Sequence, residues 1–472
     1  MPIIDLNIIQ QDKEKTDDEI TLISNSKSVL YIGEVQSGKT KKILNIINNV
    51  ANKGLYDAVI YFGGTNNLLN NQSQERFFWS KNRSLKIAEY NLDKKTLNNV
   101  SPLQFWHNSK MSLFIILKGN NTLLKLLNFF NDIYVRNKKI LIIDDEADFG
   151  SLKTTDSNQS ISSLIMKLAE FGWSKCTILE VTATPFANIE MKNYDHILLL
   201  PSNNEYTGSN FFIKNKKYQV IDSNKKDSDD LLNNVISHSF LFWIISTSYY
   251  IHDTGSQQKS EFLINVDLNI PSHSSVYTHI YRLINAIKSY HNLSKLSAVK
   301  DAFNYFNISS KEKQDELLRT AENIIQQIIY DNSIFTLNSK GTKTYASGEF
   351  DYSIVVGGTL ISRGFTFKHL ITELILNSPD EHQAIDTMFQ RARWFGYRHN
   401  FDNMQKYMRI FMNQQVYDAY QKGDQLNEFL KKHYSDKDLK IKLKSFYEAK
   451  LKPYKIEYTR KKEKRINTHD NI

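Results

Sequence analysis

Residues 28–51 read SVLYIGEVQSGKTKKILNIINNVA, and this stretch decides the fold. Ser28, Val29, Leu30, Tyr31 and Ile32 predict a short buried strand, being rich in β-branched and aromatic side chains. Gly33 to Thr40 fits G-x-x-x-x-G-K-[ST], and Ile43, Leu44, Ile46, Ile47 and Val50 then recur at helical spacing. Strand, glycine-rich turn and helix in that order make a phosphate cradle. The glycines turn backbone N–H groups toward the anion, and the helix N-terminus adds its positive dipole end. Gly33, Gln36, Ser37, Gly38, Lys39 and Thr40 are the nucleotide-binding candidates. Lys39 would reach the β/γ-phosphates and the Thr40 hydroxyl would hold Mg²⁺. The bland alternative is a turn that binds nothing.

Downstream, strands and helices alternate. Strands are predicted at 58–62, 112–117, 140–143 and 177–181, with helices at 123–135 and 161–171 between them. This rhythm argues for a parallel sheet covered on both faces. A second alternating region has helices at 231–251, 276–290, 311–330 and 382–393. Its predicted strands are 261–266, 352–356, 370–376 and 406–412. The expected division is a lead-in at 1–27, an α/β domain at 28–200, a linker and helical connection at 201–255, a second α/β domain at 256–415, and C-terminal helices with a basic tail at 416–472.

The bulk composition agrees with a multidomain globular protein. The 472 residues exceed what one core organises, and 41% hydrophobic content suffices for real cores. A net charge of +9 and a sequence pI near 9.1 favour a polyanionic partner, nucleic acid first. A single cysteine, Cys176, excludes an internal disulfide and a cysteine-based metal site, and fits a reducing cytoplasm. The opening MPIIDLNIIQQDKEK has no basic stretch followed by an apolar one, so no export signal is expected. The apolar run at 240–250 is too short to span a bilayer and is read as a buried helix. Within 440–465 stand eleven Lys/Arg against three Glu, a candidate nucleic-acid tail or a solvated end.

Four further stretches carry chemistry. ILIIDDEAD, residues 140–148, delivers acids at the C-terminal end of a strand, where open α/β sheets bind ligands. Asp145 is placed to hold Mg²⁺ and Glu146 to orient or deprotonate the attacking water, unless both merely cap a helix. Thr182-Ala183-Thr184-Pro185 offers small hydroxyls that can hydrogen-bond the 145–148 loop. In GGTLISRGFT, residues 357–366, Thr359, Ser362 and Arg363 offer donors for phosphate oxygens. FQRARWFGYR, residues 389–398, holds three arginines among large aromatics, a costly set to bury without anions. They suit the developing γ-phosphate charge, stacking on nucleic acid, or plain structural ion pairs.

Taken in order, P-loop, DEAD, TATP, T-x-x-x-R-G and Q-R-x-R…R resemble the two-domain RecA-like motor of superfamily two helicases. More narrowly, VQSGKT, GTNNLLNNQSQERF (64–77), LIIDDEAD, VTATPFAN, GGTLISRGFTF and QRARWFGYR resemble the Z-one domain family of proposed endonucleases. Its members are bacterial helicase-like ATPases associated with restriction and phage defence. The resemblance covers roughly residues 28–415. It implies two RecA-like P-loop domains with ATP and Mg²⁺ in the cleft between them. Lys39, Asp145, Glu146, Arg393 and Arg398 would be catalytic, Thr40 and Asp145 metal-holding, and Gly364 nucleotide-contacting. Thr65, Gln72, Arg76, Thr359 and Arg363 would touch the nucleic-acid backbone, DNA favoured over RNA. Ala392 stands where the family's sixth motif usually has Gly, and the spacing from Arg393 to Arg398 is longer than in the common helicase G-R-x-G-R, which leaves the choice between the two arginines open. Neither a P-D…(D/E)-x-K nor an H-N-H pattern is seen, so any cutting residues are expected on a partner: a nuclease, methyltransferase or other ATPase subunit. An ATP-gated sensing module and a nuclease in its own right are the other two readings. No membrane association is expected.

Overall fold

The computed structural model describes residues 6–63, 87–91, 110–130, 137–148, 160–221, 234–266, 270–287, 293–337, 345–358, 366–376, 383–398, 400–454 and 456–457. Within these the chain forms two compact units. One takes the chain up to Pro201 and adds Phe429–Ala449; the other takes Ser202–Glu428 and Lys450–Glu457.

In the first unit the strands are β1 (Ser28–Gly33), β2 (Ala58–Phe62), β3 (Ile87–Asn91), β4 (Met111–Ile116), β5 (Lys139–Asp145), β6 (Lys175–Thr182) and β7 (His196–Leu200). They form one parallel sheet in the order β3-β4-β2-β5-β6-β1-β7. Both faces are covered, so the strands are continuous apolar runs with no polar alternation. Successive side chains still point to opposite faces, and that sorts the sheet into two cores. Val29, Tyr31, Val59, Tyr61, Leu141 and Ile143 pack with Ile43, Ile46, Ile47 and Val50 of the helix Lys39–Asn52. Ile60, Phe62, Phe114, Ile140 and Ile142 pack on the other side with Leu123, Leu126, Leu164 and Leu168. The lead-in is a helix, Leu6–Asn25, whose Ile20 and Ile23 enter the first of these cores.

The second unit holds β8 (Tyr206–Thr207), β9 (Tyr218–Ile221), β10 (Ser260–Asn265), β11 (Ile334–Leu337), β12 (Tyr352–Gly357), β13 (Leu370–Ile375), β14 (Gln383–Ala384), β15 (Gly396–Tyr397), β16 (Arg409–Asn413) and β17 (Ile456–Glu457). Its main sheet is parallel, ordered β11-β12-β10-β13-β16-β9, beside the short pairs β14-β17 and β15-β8. The helix Val235–Thr254 is apolar on nearly every side and lies buried, its Trp243 indole donating to Ser260 Oγ at 2.7 Å. Among the described residues no helix is long and apolar enough to cross a membrane.

The fold class is the expected one: two α/β units, each built on a parallel sheet. Several details differ from the reading of the sequence, among them strand β3 (Ile87–Asn91), which was not expected between 58–62 and 112–117. The segment after residue 200, expected as linker, supplies β9 to the edge of the second sheet. A four-residue, half-buried edge strand preceded by two lysines carries too little apolar signal to stand out from a polar loop. Strand β11 was likewise not anticipated, because Ile334–Leu337 directly follows the long helix Lys311–Asp331 and reads as its continuation.

Candidate nucleotide-binding site

The turn after β1 is shaped by three residues. Gln36 and Gly38 sit at φ 59° and 89°, in the left-handed region, and Gly38 opens the helix Lys39–Asn52. At Gly33 an added Cβ would lie 2.7 Å from Lys39 Cγ and 3.0 Å from Ser37 Oγ, so only glycine lets the loop close. Ser37 is buried, and its hydroxyl finds no hydrogen-bond partner among the described residues. A buried hydroxyl without a partner, in a concave loop at a helix N-terminus, fits an anionic guest. Lys39 donates to the carbonyl oxygens of Gly33 (3.2 Å) and Glu34 (2.9 Å). Burial pulls its pKa down, while Asp145, Glu146, Asp148 and Glu34 hold it up. Lys39 therefore shares one electrostatic neighbourhood with the acidic loop.

That loop ends β5. Strand alternation decides which of the two adjacent aspartates faces the P-loop helix. Asp145 shares its face with Leu141, Ile143 and Tyr61, on the side of Lys39–Asn52. Its Oδ2 accepts from Tyr61 Oη at 2.9 Å and its Oδ1 from the Glu146 amide at 3.0 Å. Burial and then the neighbouring Glu146 raise the Asp145 pKa to about 6, against the pull of Lys39, Tyr61 and Lys118. Glu146 has φ 54°, rare for a residue with a side chain and costing about 1–2 kcal/mol. Asp148 is buried and accepts from Thr182 Oγ1 (2.7 Å) and Thr184 Oγ1 (2.9 Å), the hydroxyl contacts expected of the TATP stretch.

Three residues of this neighbourhood escaped the sequence reading. Tyr61 looked like core. Lys118, just past β4, pairs with Asp144 at 2.6 Å, and both side chains are buried. Lys431 lies 3.1 Å from Glu34 of the phosphate loop, an exposed pair worth about 0–1 kcal/mol.

In the second unit, Arg393 and Arg398 are both buried. Arg393 donates to the Gln390 carbonyl, and Arg398 donates to the carbonyls of Arg393 and Trp394, each at 2.7 Å. Arg398 Nε and Nη1 have no acceptor among the described residues, and burial lowers its pKa to about 10. Glu373 stands beside both arginines; burial raises its carboxyl to about 7, opposed by Asn265, Arg393, Arg398 and the Trp394 amide. Arg391 is only partly buried. Thr65, Gln72, Arg76, Thr359, Arg363 and Gly364 lie outside the described residues, as does most of the basic stretch beyond residue 454.

None of the curated proteins compared with the chain matches it. Among solved structures, the chain is similar to an ATP-dependent Type ISP restriction-modification enzyme, LlaBIII, bound to DNA. Identity is 12% with a TM-score of 0.47, over 84% of this chain and 27% of that one. It is also similar to the DUF1998 helicase MrfA bound to DNA, at 12% identity and a TM-score of 0.45, over 88% of this chain and 50% of that one. The chain thus spans a minor part of the first and half of the second. The family model of the Z1 domain matches residues 236–464, the larger part of the second unit.

Proposed function

We propose that the chain is a nucleic-acid-dependent ATPase, a helicase- or translocase-like motor of a restriction or phage-defence system. The observation that carries the reading is the shared neighbourhood of Lys39 with Asp145, Glu146 and Asp148. It supports placing a P-loop lysine and a strand-end acidic loop at one phosphate. The Z1 match and the motif order support the setting.

In this reading Gly33, Gln36, Ser37, Gly38 and Lys39 cradle the phosphates, with Lys39 released from the Gly33 and Glu34 carbonyls to do so. Thr40 and Asp145 supply the hard oxygen donors that suit Mg²⁺. The ion, when bound, neutralises charge on the β- and γ-phosphates. Glu146 orients or deprotonates the attacking water. Arg393 and Arg398 are proposed to act in turnover. Thr65, Gln72, Arg76, Thr359 and Arg363 are proposed as contacts to a nucleic-acid backbone, DNA favoured, and Gly364 as a nucleotide contact. A nuclease, methyltransferase or second ATPase is the proposed kind of protein partner, and the cytoplasm the proposed compartment.

The test is steady-state ATPase with single-stranded DNA, duplex DNA, RNA and no nucleic acid. Stimulation by one of them, lost in Lys39→Ala, is the expected result. Glu146→Gln should keep nucleotide binding and stop turnover. Hydrolysis indifferent to nucleic acid would favour a gated sensing module. Metal-dependent cleavage that survives Lys39→Ala would favour a nuclease.

A further inference from the structure

Lys118 is a buried charged side chain to which the ATPase reading gives no task. It is fully enclosed, at 0% exposure, on the sheet face opposite the phosphate loop. Its ammonium donates to the Asp145 carbonyl at 2.7 Å and the Glu146 carbonyl at 3.1 Å, and forms an ion pair with Asp144 Oδ1 at 2.6 Å. Strand β2 lies between β4 and β5, so the lysine reaches across the end of β2 to make these bonds. Asp144 shares its face with Ile140 and Ile142, whereas Asp145 points to the other side.

Charge balance alone does not call for this arrangement. A buried ion pair is often no more stable than a well-packed apolar pair of the same size. The neighbouring buried acid, Glu180, stands opposite Asp144 in the β5–β6 register. It has its own partners in Lys192 (2.5 Å), Tyr194 (2.6 Å) and Asn188 (3.1 Å). What an apolar pair could not supply is a donor for two successive carbonyls. Those carbonyls belong to the two residues whose side chains the reaction needs. One of them is Glu146, whose left-handed backbone persists only if its surroundings over-determine it. The Glu146 amide is held by Asp145 Oδ1, the Ala147 amide by the Val181 carbonyl at 3.0 Å, and the Glu146 carbonyl by Lys118.

We propose that Lys118, anchored by Asp144, is a positioning residue that clamps the Asp145–Glu146 backbone from the far face of the sheet into the geometry turnover requires. The proposal rests on the ATPase reading. Outer-shell partners of this kind typically cost about 10–100-fold in activity when removed.

The experiment compares wild type, Lys118→Met, Asp144→Leu and the double variant Lys118→Met/Asp144→Leu. Each single variant leaves one buried charge alone and is expected to lower the melting temperature. The double variant removes both charges and is expected to regain it. Turnover should not follow. In the double variant kcat stays about 10–100-fold down, with KM for ATP within about 3-fold of wild type, because the carbonyl clamp is still missing. Deuterium exchange of the peptide covering residues 145–148 should speed up in the double variant while the rest of the sheet is unchanged. Recovery of kcat together with melting temperature would overturn the proposal and leave a plain charge pair. If wild type hydrolyses no ATP, the ATPase reading fails, and the exchange experiment decides the clamp. Unchanged exchange at 145–148 would then overturn it, and faster exchange would support it.

Discussion

Asp148 joins two segments more than thirty residues apart, and the cost of separating them follows from the bonds it makes. Thr184→Val keeps the shape and the β-branch and deletes one hydroxyl bond to a buried carboxylate. Bonds of that class contribute about 1.5–3 kcal/mol. Thr182→Val should cost more. It deletes the bond to Asp148 Oδ1 and also strips the Thr184 amide of its acceptor, Thr182 Oγ1 at 3.0 Å. An unpaired buried amide adds about 1–3 kcal/mol. The expected order of destabilisation is therefore Thr182→Val above Thr184→Val. Urea unfolding read by pulsed exchange of the β5 and β6 peptides isolates the first unit's transition. A double-mutant cycle of Thr184→Val with Asp148→Asn gives the coupling itself. A coupling below about 0.5 kcal/mol, the scatter of independent sites, would refute the argument. So would Thr184→Val proving the costlier of the two.

Arg393→Ala and Arg398→Ala are expected to lower kcat on the order of 10³-fold with little change in KM, and Arg391→Ala far less. Both are buried and bond to carbonyls of their own loop, so melting curves must accompany the rates; near wild-type hydrolysis in both variants would end their assignment to turnover. Glu373 has a folded pKa of about 7, above its unfolded value near 4.5, so its contribution to stability is full below pH 4.5 and is lost as pH rises through 7. Glu373→Gln should remove that slope, and its melting temperature relative to wild type should climb between pH 4.5 and 7; parallel curves would show that Glu373 does not titrate there. Burial pushes the Cys176 thiol up to about 12. Alkylation by iodoacetamide at pH 8 should be about 10³-fold slower than for a free thiol until the chain unfolds, and stoichiometric labelling of native protein within minutes would contradict this.

By itself the sequence determined the features that repeat over short distances. The strand at 28–33, its glycine turn and the helix behind it follow from a local change of period, and so do the buried helix at Phe240–Tyr250 and the acids that end β5. The same locality made DEAD and TATP legible as partners, since small hydroxyls at one strand end face the acids of its neighbour. Tertiary structure decided the rest. Nothing in SLFIILK marks Lys118 as the residue that crosses β2 to hold two carbonyls of another strand, because that meeting depends on strand order. Tyr61 in AVIYF is an ordinary core aromatic until β2 pairs with β5 and its hydroxyl meets Asp145. The paired aspartates 144 and 145 look equivalent in the chain. The sheet separates them, one toward the phosphate loop and one toward Lys118, because side-chain alternation acquires two distinct sides only when both faces of the sheet are covered.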